Sequence, residues 1–333
     1  MTITLNKFQK QLCNVLQEPL PICAEPFESL AEKLATDEST VISETEKLKS
    51  LGLIRRFSAS VNSRALGKAV TLVTAHVPEK DLAIITTVIN ALPGVSHNYL
   101  RDHHYNLWFT LQADTDEQLQ TLITNLSSRL DTQFHALPAI RLFKLNVRFN
   151  PDLSANASSN LEAETKIIDV AFSAPGPVTL NYLEKTILTK LQSDLEISPR
   201  PFDFLVSDTV DIDTVIRTIQ SLIDKGVIQR IAAVVDYRKL GFNANVMFCA
   251  CVETDRITHI GTKLARFKIV SHCYERKTFE DWPYNLFAMM HAQSIDQIRR
   301  VIDGFTAAEQ IDQFELLPTT VELKKQPVEH NFS

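Results

Sequence analysis

The amino-acid sequence contains a long internal duplication. The segment SHNYLR at 96–101 returns as SHCYER at 271–276, and each copy is soon followed by a Tyr-Asn-Leu run that ends in an aromatic residue. Other paired landmarks keep a closely similar interval: Leu16-Gln17 with Leu191-Gln192, Pro26-Phe27 with Pro201-Phe202, and Gly52 with Gly226. A period of this length is too long for a solenoid and indicates a duplicated domain. The chain must therefore fold as two comparable halves, and the places where the halves differ become the guide to function.

The composition is that of an ordinary globular protein in a reducing compartment. Hydrophobic residues make up 44% of the 333 residues and charged residues 22%, so each half can bury a core. No apolar run approaches the roughly 20 residues that cross a bilayer, and the N-terminus MTITLNKFQK lacks a signal-peptide core. The five cysteines form no C-x-x-C pair. We expect a cytoplasmic protein without membrane contact.

Hydrophobic periodicity divides each half into two domains and indicates a mixed α/β (α+β) fold. Residues 1–66 predict a helix-turn-helix that ends at Gly52 and continues into the strand IRRFSASVN, which is the outline of a winged helix-turn-helix. Residues 67–149 predict the order βαββαβ of a ferredoxin-like sheet. The second half repeats both, at 165–240 and 241–333. Residues 150–164 are small and polar without periodic hydrophobics, and we predict that they form the linker.

The charge pattern argues against DNA binding. The net charge is −6, whereas nucleic-acid binding usually depends on a basic face. The helix that would read DNA has the sequence DESTVISETEKLKS in the first half and lies in SDTVDIDTVIRTIQS in the second. Both present carboxylates where phosphate oxygens would lie, and they lack the cluster of Arg, Lys, Asn or Gln donors that base reading requires. We expect the helix-turn-helix to serve packing or dimerisation.

The densest group of polar and aromatic residues is HNYLRDHHYNLWFT at 97–110, with the counterpart HCYERKTFEDWPYNLFAMMH at 272–291. Strand alternation predicts that His97, Tyr99 and Arg101 share one face. A ferredoxin-like sheet carries helices on one face only, and its other face, lined with Tyr, Arg and His, suits an anionic ligand better than a core. Arginine is the appropriate clamp because its planar fork binds a carboxylate bidentately.

A small helix-turn-helix followed by a ferredoxin-like module resembles the Lrp/AsnC family of amino-acid-responsive transcription regulators, over nearly all of each half. The run HNYLRDHHYNLWFT, with RRFSASVNSRALG upstream, is similar to one subunit type of the siroheme decarboxylases. The motifs SHCYER, WPYNLF and MMH of the second half are similar to the partner subunit. Siroheme decarboxylases are Lrp/AsnC-like proteins of two related subunits that are sometimes fused, and this chain resembles the fusion.

The resemblance implies loss of carbon dioxide from the C12 and C18 acetate side chains of siroheme, giving 12,18-didecarboxysiroheme for d1 haem synthesis or the alternative haem pathway. Of these two routes, a fused chain favours d1 haem synthesis. The resemblance also implies siroheme as the partner and no cofactor of the protein's own, since the substrate carries the iron. Two alternatives are an Lrp/AsnC-type regulator and a tetrapyrrole-binding protein without turnover. The two halves suggest an internal pseudo-dimer, and association into a homo-oligomer is left open.

Decarboxylation leaves electron density that the macrocycle accepts and a proton quenches, and histidine is the first candidate for the proton donor. His103, the closer match to the pattern R-x-H-x-Y-N-x-W, and His104 are the predicted donors, and His291 is the candidate of the second half. The halves could share a pocket, could act on different acetates, or could include one structural site. We predict no protein-bound metal site. The predicted substrate-binding residues are His97, Tyr99, Arg101, Tyr105, Arg56, His272, Tyr274, Arg276, Trp282 and Tyr284.

Overall fold

The computed structural model describes residues 2–145, 148–151, 170–171 and 176–332, and for 170–171 the backbone alone. The predicted linker at 150–164 lies outside the described residues except for its first two positions. All helix and strand bounds below refer to the described part of the chain.

The N-terminal domain consists of helices and one strand: α1 (Lys7–Leu16), α2 (Pro26–Leu34), α3 (Glu38–Ser50) and β1 (Ile54–Val61). Asp37 caps α3, because its carboxylate accepts the backbone N–H of Thr40 at 2.8 Å and the hydroxyls of Ser39 and Thr40. These hydrogen bonds lower the pKa of Asp37 to about 2. A carboxylate at this position stabilises the first turn of the helix. At least one acid at the start of this helix therefore has a structural role.

The rest of the first half forms strands and helices in the order β2 (Ala69–Ala75), α4 (Glu79–Ala91), β3 (Val95–Arg101), β4 (Leu107–Ala113), α5 (Asp116–Leu130) and β5 (Phe134–Leu145). The second half follows with β6 (Val170–Ala171), α6 (Tyr182–Leu191), α7 (Ile212–Asp224), β7 (Ile228–Val235), β8 (Ala244–Ala250), α8 (Ile257–Ala265), β9 (Val270–Arg276), β10 (Leu286–Ala292), α9 (Ile295–Glu309) and β11 (Phe314–Lys325). Short 3₁₀ helices occupy Asp203–Leu205 and Tyr237–Leu240.

The two halves differ in their helix-turn-helix regions. Where the first half has α2, the second has only the 3₁₀ turn Asp203–Leu205, followed by an isolated bridge between Ser207 and Val210. The segment VSDTV at 206–210 is composed of residues with low helix propensity, which explains the loss of the helix. The helix-turn-helix predicted for 165–240 is thus reduced in the second half.

Eight strands from both halves close into one antiparallel ring. In the first half the strand order is β5-β2-β4-β3, and in the second it is β11-β8-β10-β9. The two sheets join through the pairs β5–β9 and β3–β11, and β6 adds two residues beside β5. Each of the eight main strands thus pairs with two others, and the sheet closes on itself.

Two prolines mark the points where strands pass from one half to the other. Strand β5 pairs with β2 through Pro138 and with β9 from Ala139 onward. Strand β11 pairs with β8 through Pro318 and with β3 from Thr319 onward. Proline lacks a backbone N–H and cannot continue a ladder as a donor, so it suits the position where one pairing ends and another begins.

Helices cover the outside of the ring. Helices α4 and α5 pack on one sheet in a core that includes Ile85, Phe109 and Ile123, and α8 and α9 pack on the other. Side chains on the opposite faces of the strands point into the ring interior, where Trp108 and Trp282 belong to an apolar cluster. The sheet face that we expected to be open is therefore enclosed. Of the helices within the described ranges, none is long and apolar enough to span a bilayer.

The strands β1 and β7 pair with each other and unite the two helical domains in one hydrophobic core. Phe149 and Tyr237 join this core and contact His291 of β10 with their rings, at 5.1 and 5.0 Å between centroids. The core that contains β1 and β7 thus lies against the ring at the end where β10 terminates.

Candidate active site

Strand β3 carries a histidine, a tyrosine and an arginine on the face that points into the ring, as the alternation predicts. The rings of His97 and Tyr99 stack with centroids 6.2 Å apart, and the guanidinium of Arg101 lies 5.5 Å from the centre of Tyr99. The intervening Asn98 points the other way, where its amide donates to Asn90 of α4 at 2.9 Å.

Strand β9 carries the same three residue types in the same arrangement. The rings of His272 and Tyr274 stack at 6.4 Å, and the guanidinium of Arg276 lies 4.8 Å from the centre of Tyr274. Cys273 between them faces α8, where its thiol donates to the carbonyl of Gly261. The ring interior therefore receives two matching groups, one from each half.

Arg101 is buried and Arg276 is half-buried, and neither has an acidic partner among the described residues. Arg101 donates from Nη1 to the carbonyl of Leu317 at 2.9 Å, and Arg276 from Nη1 to the carbonyl of Leu137 at 2.8 Å. The Nε atom of each has no hydrogen-bond partner. Burial lowers the pKa of both to about 10. Since buried charges in proteins are normally paired, these two guanidinium groups retain the capacity to bind an anion.

Three histidines lie near one another inside the ring. Burial lowers the pKa of His97 to about 4 and that of His272 and His291 to about 3, and the charge of Lys325 contributes to all three shifts. The Nδ1 of His291 has no hydrogen-bond partner. All three imidazoles are neutral at pH 7 in this state. An entering carboxylate would favour their protonated forms and raise these pKa values.

Arginines from the wings add positive charge at the edge of the histidine group. The charge of Arg56 on β1 contributes to the low pKa of His97, and that of Arg230 on β7 to the low pKa of His272. Arg56 donates from Nε to Ser58 Oγ at 3.1 Å. Burial lowers the pKa of both arginines, which indicates partial removal from water. The surroundings of the three histidines are thus mainly cationic.

The ring interior is not filled by side chains. His97, Tyr99, His272, Tyr274 and Arg276 are only half-buried, although they lie inside the closed ring. These side chains therefore line a space that solvent reaches. Within the ranges that the structure describes, no group of three or more His, Cys, Asp or Glu is arranged to hold a metal ion.

The structure places His103 and His104 away from this group. They line an open pocket of about 360 Å³ with Tyr105, Trp282 and Tyr284, at the end of the ring where β3 terminates and β10 begins. His291 lies near the other end of β10, and at ~3.3 Å per residue the two ends of this strand are ~20 Å apart.

The local contacts of the two loop histidines are those of a turn. His103 Nδ1 accepts the backbone N–H of Tyr105 at 3.0 Å, and the ring of His104 stacks on His76 at 4.3 Å. Tyr105 and Trp282 pack in the apolar cluster between this pocket and the rest of the ring. One end of the ring thus holds His103, His104, Tyr105, Trp282 and Tyr284, apart from His97 and Tyr99, and the roles predicted for these residues stay predictions.

Lys325, Arg64 and Tyr237 were not among the predicted site residues. Lys325 pairs with His97 across the β11–β3 ladder, and its Nζ lies 4.5 Å from the ring centre of Tyr237. Arg64 lies close enough to Tyr274 and Arg276 to influence their ionisation. The sequence holds no local signal for these neighbours, because Lys325 comes from an exchanged strand, Arg64 from the segment after β1 and Tyr237 from a 3₁₀ helix.

The fold and site define an AsnC-like ligand-binding protein whose ligand pocket is basic. A model of the AsnC-like ligand binding domain matches residues 65–144 and 239–324, and a model of the siroheme decarboxylase NirDL-like HTH domain matches residues 9–55. The siroheme decarboxylase of Hydrogenobacter thermophilus is 32% identical over 323 residues, which cover 96% of this chain and 93% of that protein. The chain belongs to the siroheme decarboxylase family.

Solved structures agree with this assignment. The crystal structure of the siroheme decarboxylase NirDL superposes with a TM-score of 0.72 at 30% identity and covers 98% of this chain and 95% of that one. A second structure of NirDL, in co-complex with an iron-uroporphyrin III analogue, gives a TM-score of 0.71 at 29% identity and covers 98% and 94%. The siroheme decarboxylase alpha subunit of Desulfovibrio desulfuricans is 35% identical over 148 residues, which are 44% of this chain and 86% of that subunit. The resemblance found in the sequence motifs is thereby confirmed.

Proposed function

We propose that this chain removes carbon dioxide from the C12 and C18 acetate side chains of siroheme and releases 12,18-didecarboxysiroheme. The observation that carries the proposal is the pair of arginines in the ring interior, Arg101 and Arg276, whose buried Nε atoms have no partner and which form no ion pair among the described residues. A macrocycle with many carboxylates is the type of ligand that such an interior accepts, because its carboxylates supply the missing counter-charges.

The chemistry requires a desolvated carboxylate and a proton. The bond between the methylene carbon and the carboxylate carbon breaks, carbon dioxide leaves, and the electron pair passes into the macrocycle. A proton then adds to the methylene carbon and gives a methyl group. Each acetate consumes one proton and no electrons, so we propose that the protein contributes no redox cofactor and that the iron belongs to the substrate. Transfer out of water favours the reaction, since it destabilises the carboxylate relative to the dispersed charge of the transition state.

The residues of the ring interior fit these roles. We propose that Arg101, Arg276 and Arg56 bind carboxylates and that Tyr99 and Tyr274 flank the macrocycle. His97, His272 and His291 are neutral in the empty protein, but the carboxylates of the substrate raise their pKa values, so that one of them can donate the proton. The position of these histidines among Arg56, Arg101 and Arg276 supports this assignment over His103 and His104, which lie at the other end of β10.

The arrangement of the chain supports two further parts of the proposal. We propose that the halves are tandem copies that correspond to the two subunit types of the family, since each supplies a His-x-Tyr-x-Arg strand to one interior. We also propose that the product enters d1 haem synthesis in the cytoplasm.

Anaerobic incubation with siroheme, followed by mass spectrometry of the tetrapyrrole, tests the proposal. We expect the mass to fall by two carbon dioxide molecules without added cofactor. An unchanged mass with tight binding would instead favour a tetrapyrrole carrier. A sequence-specific shift of duplex DNA at low salt, with no change in the tetrapyrrole, would favour a regulator.

A further inference from the structure

The repeated motif Ser-His-x-Tyr-x-Arg begins with a serine to which the proposed function gives no role. Ser96 and Ser271 stand directly before the histidines of β3 and β9. Each serine contacts the histidine that follows it, since its Oγ lies 2.9 Å from Nδ1 of His97 in one half and 2.9 Å from Nδ1 of His272 in the other. A hydrogen bond at one imidazole nitrogen decides which nitrogen carries the proton of the neutral ring. The two serines therefore bear on how the histidines can act.

A second partner of Ser271 sets the direction of its hydrogen bond with His272. Ser271 is 5% exposed, and its hydroxyl lies 3.2 Å from the backbone carbonyl of Met289 on β10, which can only accept. The hydroxyl has one proton, so both hydrogen bonds form only if this proton goes to Met289 and Oγ accepts from His272. The opposite direction would place two acceptors against each other in a buried position, which is costly. The two bonds together thus require a proton on Nδ1, and Nε2, which is farther from the main chain, then carries the lone pair.

The β3 side has similar contacts but a different chemistry. Thr110 on β4 holds the position of Met289 on β10, three residues after the Leu of each Tyr-Asn-Leu run. The Thr110 hydroxyl lies 2.6 Å from Ser96 Oγ and accepts the backbone N–H of His97 at 3.2 Å. Both hydroxyls can donate or accept, so these hydrogen bonds can run in either direction. The neighbours of His97 therefore permit both tautomers, whereas those of His272 select one.

The Nδ1 tautomer allows the ring of His272 to gain and lose a proton at a single atom. Protonation takes place at Nε2, and Nδ1–H donates to Ser271 in both charge states. A charged donor forms the stronger hydrogen bond, so Ser271 favours the imidazolium over the neutral ring. This bond opposes the lowering of the pKa of His272, which is caused by burial and by the neighbouring groups His97, Arg230, Lys325 and Arg276.

We propose that Ser271 is a positioning residue that holds His272 with its proton on Nδ1, so that Nε2 takes up a proton when the substrate binds and delivers it to the methylene carbon after carbon dioxide has left. In this step the Nε2–H bond breaks, the electron pair held by the macrocycle forms the new C–H bond, and the ring returns to its neutral tautomer. Each acetate consumes one proton from solvent and no electrons. This inference rests on the proposed function and deepens it, since it selects His272 among three histidines and names the donating atom.

Nitrogen-15 NMR of the full chain with labelled histidine measures the tautomer directly. His272 is one of nine histidines, and its signals are identified by their loss in His272→Gln. In the empty wild type at pH 7 we expect a proton on Nδ1 and none on Nε2. Ser271→Ala should move this proton towards Nε2, because the acceptor is lost, whereas the matched Ser96→Ala should leave the tautomer of His272 unchanged. A wild-type His272 with its proton on Nε2 would overturn the proposal, without recourse to any variant of Ser271.

Single-turnover kinetics under anaerobic conditions test the consequence for the reaction. Ser271→Ala should lower the rate constant of decarboxylation about tenfold, the worth of one neutral hydrogen bond. The fall of this rate constant at high pH should begin at a lower pH than in the wild type, since the imidazolium loses an acceptor. Ser271→Thr keeps the hydroxyl and should restore both the rate and the pH profile. An unchanged rate and profile in Ser271→Ala, with circular dichroism showing that it is folded, would contradict the proposal.

The same experiments separate this inference from the proposed function. A wild type that leaves the mass of siroheme unchanged refutes the proposed function. A wild type that decarboxylates siroheme while His272 carries its proton on Nε2 refutes the inference alone.

Discussion

Arg276 of β9 donates a hydrogen bond to the carbonyl of Leu137, which lies on a strand of the other half, at 2.8 Å. Arg101 makes the reciprocal hydrogen bond to Leu317 at 2.9 Å. Each guanidinium thus links its own sheet to the strand that crosses over from the other half, β5 for Arg276 and β11 for Arg101. The Nε atom of each arginine has no hydrogen-bond partner. The side chains that join the halves are thus the ones that we propose to bind the substrate, so the assembly of the halves and the formation of the proposed site depend on the same residues.

Replacement of Arg276 by methionine should lower both stability and substrate affinity. The carbonyl of Leu137 loses its charged donor, which should cost about 1–3 kcal/mol in the free energy of unfolding. Binding should weaken more than tenfold, because the anion loses a planar partner. Arg276→Lys retains the positive charge but not the planar guanidinium. Compared with Arg276→Met, we expect it to restore more of the free energy of unfolding than of the substrate affinity. Urea unfolding and a siroheme titration on the same samples measure the two effects. Unchanged affinity in Arg276→Met would contradict the proposal that Arg276 binds a carboxylate of the substrate.

Replacement of His272 by alanine should lower kcat by about 10²–10⁴-fold if it supplies or relays the proton. The matched substitutions His103→Ala and His104→Ala lie in the open pocket and should keep kcat within threefold. His103→Ala should lower the free energy of unfolding by about 1 kcal/mol, since Tyr105 loses the acceptor of its N–H. Single-turnover kinetics under anaerobic conditions separate chemistry from binding. A large loss of kcat in His103→Ala, with substrate binding intact, would indicate instead that His103 donates the proton.

Substrate binding at pH 7 should take up protons from the solution. In the empty protein the pKa values of His97 and His272 are lowered to about 4 and about 3, so both are neutral, and carboxylates nearby raise these values. Isothermal titration calorimetry in two buffers with different ionisation enthalpies measures the uptake directly. His272→Gln removes one titrating group and should reduce it. Zero uptake in the wild type would show that the carboxylates do not approach the histidines.

The empty protein should lose stability in mildly acidic solution. Burial lowers the pKa values of His97, His272 and His291 from 6.5 to between about 4 and about 3. Below pH 6.5 the unfolded chain binds protons that the folded chain does not, so the stability falls with pH until the folded values are reached. Each histidine contributes at most ~1.4 kcal/mol per pH unit. Denaturant unfolding at pH 7 and pH 5 measures the slope, which should be shallower in His291→Gln and shallower again with substrate bound.

Much of the fold followed from local patterns in the sequence. The mixed α/β class, the helix-turn-helix and the AsnC-like ligand-binding domains are confirmed. The shared orientation of His97, Tyr99 and Arg101 could be predicted because alternation along one strand needs only neighbouring residues.

The remaining features depend on long-range pairing that periodicity does not record. Closure of the ring is set by where β5 and β11 change partners, at Pro138 and Pro318, and the sequence around each proline resembles an ordinary strand. The neighbours of His97, such as Lys325, follow from that exchange. The position of His103 and His104 relative to the strand residues could not be predicted, because alternation does not apply in a loop, where the direction of a side chain depends on turn contacts such as that of His103 with Tyr105.

The exchanged strands also determine how such a protein could have arisen and how it can fail. A separated half would carry two unpaired edges, one at β5 or β11 and one at β3 or β9, and a second half is the surface that fits them. Fusion of the halves turns a concentration-dependent encounter into an intramolecular one, which protects a reaction that needs both halves at once from dilution. It also fixes the ratio of the halves at one to one.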